Sequence, residues 1–210
     1  MMAADLVQML SFYACDGPEP DEQGGEALSG PRDFENATRL IAQSGYKGER
    51  IVVSDPADNP RLHAEALVTN DLLQRLGLNV ELATAEWGTV IKRLGMREPV
   101  EQGGWSVFNT PSTSLDMLNP ATNVFLRAAG VAGSTAGWAT DEKIEALRAA
   151  WFGASDDAQR RDFADQIQRR AFETVPFIPT GEYVTRRAFR QNLAGVIEAP
   201  IPLFWNIEKR

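Results

Sequence analysis

The sequence predicts an α/β fold: a mostly parallel sheet flanked by helices, with extended strands at the C-terminal end. Three observations predict it. Residues 50–110 alternate strand, helix, strand, helix, strand, an order that implies parallel strands joined by crossovers. Two further helical stripes run through residues 140–174. After Pro176 the chain reads as short apolar runs with turn signals at Gly181 and Gly195.

Residues 15–33 are rich in Gly, Pro and acid and read as a loop or crossing segment. A helix from about Phe34 to Ser44 places Ala37, Leu40 and Ile41 on one face and stops at Gly45. Arg50–Ser54 is a short buried strand ending at Asp55-Pro56. Pro60 suits the first turn of a helix reaching Leu76, with Leu62, Ala66, Leu73 and Leu76 at helical spacing and Gly77 as its end. Asn79–Thr84 alternates as a strand, Val80 and Leu82 on one face. Glu86–Leu94 is a helix with Val90, Ile91 and Leu94 inward. Gly104–Thr110 is the third strand, and Gly103-Gly104 admits a close backbone approach at its start. Thr140 is placed to cap a helix through Trp151, with Ile144, Leu147 and Trp151 inward. Ser155 is placed to cap another to about Thr174, with Phe163, Ile167 and Ala171 inward. The remaining runs, 175–184, 192–197 and 201–209, are extended.

With 210 residues and 43% hydrophobic content, the chain can bury one sizeable core. A net charge of −8 argues against a nucleic-acid partner. The acids Asp16, Glu19, Asp21, Glu22 and Glu26 cluster without an intervening base and read as a solvated loop. A lone Cys15 forms no internal disulfide, and with a single histidine, His63, no metal site or cofactor is expected. No run approaches the roughly 18 apolar residues of a membrane span. The start, MMAADLVQML, has no basic region, and Asp5 and Gln8 break its apolar stretch. It does not read as a signal peptide, so either the protein is cytoplasmic or the chain begins partway through a longer one.

No nucleophile motif, P-loop or dinucleotide fingerprint is present, and no spacing singles out a carboxylate pair. His63 reads as a surface or packing residue. The five tryptophans carry more signal. Solutes bind open α/β sheets beyond the carboxyl ends of the strands. Those ends are Ser54-Asp55, Ala85–Trp87 and Phe108–Thr110. Trp151 and Trp205 read as core, whereas Trp87 and Trp105 divide evenly between core and cleft. The residues expected to line a solute face are Trp105, Phe108, Asn109, Thr110 and Asp116, with Trp87 close by. Strand alternation sets Trp105, Val107 and Asn109 against Ser106 and Phe108. Asp116 is placed either to pair with a cationic group of a solute or to cap a turn before Asn119-Pro120.

A family pattern runs from about Phe34 to the C-terminus. Leu40 and the run Ser44-Gly45-Tyr46-Lys47-Gly48-Glu49 precede a strand ending Asp55-Pro56. A helix ending LLQRLGLNVEL, then Glu86-Trp87-Gly88-Thr89 and Gly103-Gly104-Trp105, follow. Later come Gly137-Trp138, Asp141-Glu142, Val175-Pro176, Pro179, Gly181, Arg190, Gly195 and Phe204-Trp205-Asn206. This order resembles the family 5 extracellular solute-binding proteins, the dipeptide and oligopeptide receptors of ABC importers. The resemblance implies a periplasmic-binding-protein-like lobe. It implies a crossing segment at residues 1–33, a ligand-binding lobe at 34–176 and a segment at 177–210 that returns to an N-terminal lobe. It implies a non-catalytic receptor, periplasmic or on the extracellular face, that captures a peptide or similar small solute and delivers it to permease subunits. Asn119-Pro120 stands where the family often has Asp-Pro, which leaves sugars, nickel complexes and opines beside peptides as solutes. The rival readings are a stand-alone cytoplasmic enzyme using carboxylates and a structural or interaction domain. Apolar runs at Val175–Val184 and Ile201–Ile207 predict exposed or swapped strands, with either a homodimer formed through them or disorder after about Asn192 as the outcome.

Overall fold

The structure is a computed structural model of the chain. It describes all residues except 1–4, 8–10, 16, 19–24, 26–27, 29, 185–186 and 200, with backbone alone for 5–7. The acidic cluster Asp16, Glu19, Asp21, Glu22 and Glu26 lies outside the described residues. The fold is α/β, as expected, and the chain divides into two compact units. Unit 2 is continuous, residues 31–111, and unit 1 comprises residues 1–30 and 112–210.

Unit 2 begins with α1 (Phe34–Gln43), whose N-cap Asp33 accepts from the Asn36 amide. No residue of α1 is fully buried: Ala37 and Ile41 are half-buried, while Leu40 faces solvent. The phenol of Tyr46 then pins the turn before the sheet, donating to the Glu49 carbonyl (2.7 Å) and accepting from the Asn79 amide (2.8 Å). The central strand of this unit's sheet, β1 (Ile51–Pro56), pairs in parallel along its whole length with β2 (Val80–Ala85). Helix α2 (Pro60–Arg75) connects them, with Asn59 as its cap and Leu62 and Ala66 buried against the sheet. Helix α3 (Trp87–Leu94) buries Val90, while Ile91, expected inward, is exposed.

The expected third strand is corrected. Gly104–Thr110 forms one parallel bridge with the sheet, Val53 to Val107, flanked by Ser54 N–H to Val107 O and by the Ser106 and Val107 N–H groups, both to Val52 O. The physical reason lies upstream, where a 3₁₀ turn at Val100–Gln102 ends in left-handed Gly103. Gly104 then folds so tightly on the preceding loop that a Cβ would overlap the Glu98 carbonyl oxygen. The ladder therefore cannot extend back from Val107.

Unit 1 is built on α4 (Glu142–Gly153) and α5 (Asp157–Thr174). The caps are Asp141, accepting from the Ile144 amide, and Asp156, accepting from the Gln159 amide; both lie one residue beyond the expected Thr140 and Ser155. Helix α5 buries Ala164, Ile167, Gln168 and Ala171, and Phe163 is half-buried. Ser11–Ala14, within the stretch expected to be a crossing segment or loop, is fully buried. Phe12 lies edge-on to Phe172 and Phe177 at centroid distances of 4.8 and 4.9 Å. The Gln168 amide oxygen accepts from the Ser11 hydroxyl (2.7 Å) and the Phe12 N–H (3.1 Å), and Asn123 donates to the Phe12 carbonyl. The Ser11 hydroxyl, both backbone groups of Phe12 and the Tyr13 hydroxyl, which donates to the Ala164 carbonyl, thus have partners, as burial requires. Trp151 packs against the same core.

The C-terminal strands find partners within the chain. Strand β3 (Asp5–Val7) pairs antiparallel with β4 (Glu182–Val184), and β5 (Leu193–Ala194) with β6 (Glu208–Lys209). Trp205, expected in the core, is 87% exposed. Its turn belongs to a ribbon only two residue pairs long, too short to present a covered face.

Candidate functional site

The carboxyl end of the unit 2 sheet gathers the groups that chemistry needs. Asp55, on the central strand, has no solvent exposure. Both its oxygens are held: Oδ1 lies 2.7 Å from His63 Nδ1, and Oδ2 accepts from the Thr84 hydroxyl at 2.8 Å. A buried carboxylate is tolerated only when so satisfied. The helix places His63 correctly because its N-cap, Asn59, lies four residues beyond Asp55, and the His63 amide closes onto the Asn59 carbonyl. Next along the loop, Ala57 N–H donates to the Ala85 carbonyl (2.9 Å), and Asp58 Oδ1 accepts from the Trp87 N–H (2.7 Å). The β1–α2 and β2–α3 turns are therefore laced together by three separate bonds.

Five of the six residues expected to face a solute belong to this unit. Trp87 is half-buried at the start of α3. Trp105 and Phe108, set on opposite faces by strict alternation, are in edge-to-face contact at 4.9 Å, because the segment is not a regular strand. Asn109 is half-buried and hydrogen-bonded to the Thr69 hydroxyl of α2, and Thr110 is exposed. Asp116 lies in unit 1, exposed, with Oδ2 accepting from both the amide and the hydroxyl of Thr113 (3.0 and 2.8 Å). Asn119 forms a turn of its own, accepting from the Ala121 and Thr122 amides.

Sequence reasoning named Asp55 as a strand end but missed its pairing with His63. The signal was there: a carboxylate closing an apolar strand, with the only histidine in the first turn of the following helix. Unit 1 has concavities of about 190 and 390 Å³, and none of the six expected residues lines either. The smaller adjoins Asp141, where burial pushes the carboxyl up but the Ile144 and Lys143 amides and the Arg170 guanidinium outweigh it and hold it below the usual range. Among the described residues no helix is long and apolar enough to cross a membrane, and no cluster of three potential metal ligands occurs.

No family model matches the chain. A search of curated proteins finds a probable peptide ABC transporter periplasmic-binding protein of Sinorhizobium fredii, 33% identical over 177 residues. That alignment covers 84% of this chain and 33% of the relative. Its homologues are periplasmic-binding proteins of peptide ABC transporters. Di/tripeptide-binding protein 4 of Pseudomonas aeruginosa is another, 28% identical over 178 residues, covering 81% of this chain and 32% of that protein. Among solved structures, OppA of Burkholderia pseudomallei superimposes with a TM-score of 0.72 at 17% identity, covering 90% of this chain and 37% of that one. The fold is thus that of periplasmic-binding proteins. The chain spans about one third of the length of the curated relatives it matches. These homologues are binding proteins, not enzymes.

Proposed function

We propose that this chain is the C-terminal lobe of the solute receptor of an ABC importer, working in the periplasm and handing a peptide or similar small solute to permease subunits. The observation that carries the reading is the 33% identity to a peptide ABC transporter periplasmic-binding protein across 84% of the chain. In this reading residues 34–176 form the ligand-binding lobe, residues 1–33 cross into it, and residues 177–210 return to the other lobe. Trp87, Trp105, Phe108, Asn109 and Thr110 supply flat apolar area and amide and hydroxyl groups, a lining suited to a peptide backbone and its side chains. Asp116, taken by itself in unit 1, is a carboxyl suited to pairing with a cationic group such as a peptide's terminal ammonium. The reading includes no catalytic step, cofactor, metal or nucleic acid. Self-association through the C-terminal end, where Phe204 and Trp205 are exposed, accompanies it as a concentration-dependent dimer that light scattering would detect.

Cells with the gene deleted should lose uptake of labelled di- and tripeptides, with agropine-type opines as the comparison solutes. Unchanged uptake of both classes would overturn the receptor reading. Calorimetry on the chain alone should give weak binding or none, because a two-lobed receptor buries its ligand from both sides. Submicromolar affinity would show that the chain carries a complete site.

A further inference from the structure

We propose that Asp55 is a positioning residue that fixes Trp87, through the two laced turns, at the carboxyl edge of the unit 2 sheet. The proposal rests on the reading that Trp87 meets the solute. Trp87 is the first residue of α3, and Glu86 at its N-cap makes no side-chain cap bond. The amide at that position is instead held by a side chain from another turn, Asp58. What holds Asp58 is the turn it belongs to, residues 55–59. That turn is closed by Asn59 N–H to Pro56 O and tied to the second turn by Ala57 N–H to Ala85 O. Both turns leave adjacent parallel strands in register, Asp55 opposite Thr84 and Pro56 opposite Ala85. Asp55 is the one fully buried polar side chain in this lacing, and it grips each side: Thr84 at the root of the second turn, His63 in the helix that follows the first.

A carboxylate with two oxygens and no solvent is suited to that task. Each oxygen takes a different element, so neither the 84–87 turn nor the start of α2 can shift without leaving a buried acceptor unpaired. A valine or leucine here would pack as well but would fix neither turn. The buried polar group therefore marks a demand for position at Trp87, beyond what the core of unit 2 needs.

Amide hydrogen exchange on the chain tests this without any ligand. In Asp55→Ala and Thr84→Val the Trp87 amide should exchange at least tenfold faster, while the Val53 and Ala66 amides keep their protection. Asp58→Ala, which removes the acceptor itself, sets the maximum effect. Asp55→Asn, which keeps the shape and can still bond Thr84 and His63, should restore protection to within about threefold of the parent. Unchanged Trp87 exchange in Asp55→Ala, or a loss shared equally by Val53 and Ala66, would overturn the proposal. A parallel fluorescence titration of the longer receptor with Ala-Ala-Ala, comparing it with its Trp87→Phe variant, reports on the reading beneath. If the exchange pattern holds while Trp87→Phe binds and responds like the parent, Asp55 still positions Trp87 and the solute-facing assignment fails.

Discussion

In unit 1 the side chains shut from solvent include Phe12, Tyr13, Leu126, Ile144 and Ile167, with Phe172 and Phe177 packed on them. In unit 2 they include Val52, Val53, Leu62, Ala66 and Val90, accompanied by Ser54 and Asp55. Unit 1 thus gains its burial from rings and long aliphatic chains drawn from distant parts of the sequence. Unit 2 gains it from one central strand and three residues of α2 and α3, and the same strand carries a buried carboxyl group. The difference teaches where each unit is committed. The aromatic core tolerates little change of shape, whereas the sheet gives up apolar burial to place polar groups at its carboxyl edge.

The largest expected effect breaks the comparison from the unit 1 side. Phe12→Ala should cost about 3–5 kcal/mol, the range for a buried phenylalanine. Urea unfolding followed by tryptophan fluorescence measures it, with amide exchange at Val53 reporting unit 2 separately. A cost under about 1 kcal/mol would mean that the ring cluster does not hold unit 1. Val53→Ala, in the unit 2 strand, should cost about 1.5–3 kcal/mol, for two methyls and the gap they leave. If it matches or exceeds Phe12→Ala, unit 2 is the more tightly built of the two.

A third test concerns acid. The Asp141 carboxyl titrates below the usual range when folded, so the unfolded chain binds its proton first on acidification. Its stabilisation is complete above the ordinary aspartate value of about 3.9 and drains away as pH falls through the lower folded value. Asp141→Asn keeps a good helix cap but loses the Arg170 ion pair (2.8 Å), so its melting temperature should fall less steeply than the parent's between pH 4 and 2. Identical slopes would remove Asp141 from the acid response. The smallest effect is at Asp165, where burial raises the carboxyl, Asp162 adds to the rise and Arg169 opposes it. A carboxyl raised in the folded state favours folding at low pH and loses that contribution as pH rises through its folded value. Asp165→Asn imitates the protonated form and should raise the melting temperature at pH 7 by about 1–3 °C. A lower melting temperature would show that the charge is satisfied after all.

Much of this was legible in the sequence. Helices α2, α4 and α5 were marked by periodic apolar positions and capping residues, and the parallel pair by its two short strands. The caps slipped by one residue because Asp competes well with Thr and Ser for the same amides. The third strand failed because an apolar run says nothing of the Gly103-Gly104 fold upstream that prevents a ladder. Burial of Ser11–Ala14 was hidden because its partners, Asn123, Gln168 and Phe177, lie more than a hundred residues away. At the candidate site, residue types could be read, but the contact of Trp105 with Phe108 and the hold of Asp58 on Trp87 arise from loop geometry.

The division of the chain also sets a timetable for its synthesis. Residues 31–111 are contiguous, so unit 2 can fold once it has left the ribosome. Phe12 must wait for Gln168, 156 positions later, which at 5–20 residues per second is roughly 8–30 s. For that interval the nascent chain carries an uncovered Phe12-Tyr13 pair ahead of a finished domain. Chaperone dependence should therefore track Phe12 and Tyr13, and replacing both with serine should release the nascent chain from holdases while leaving the mature unit 1 unable to close.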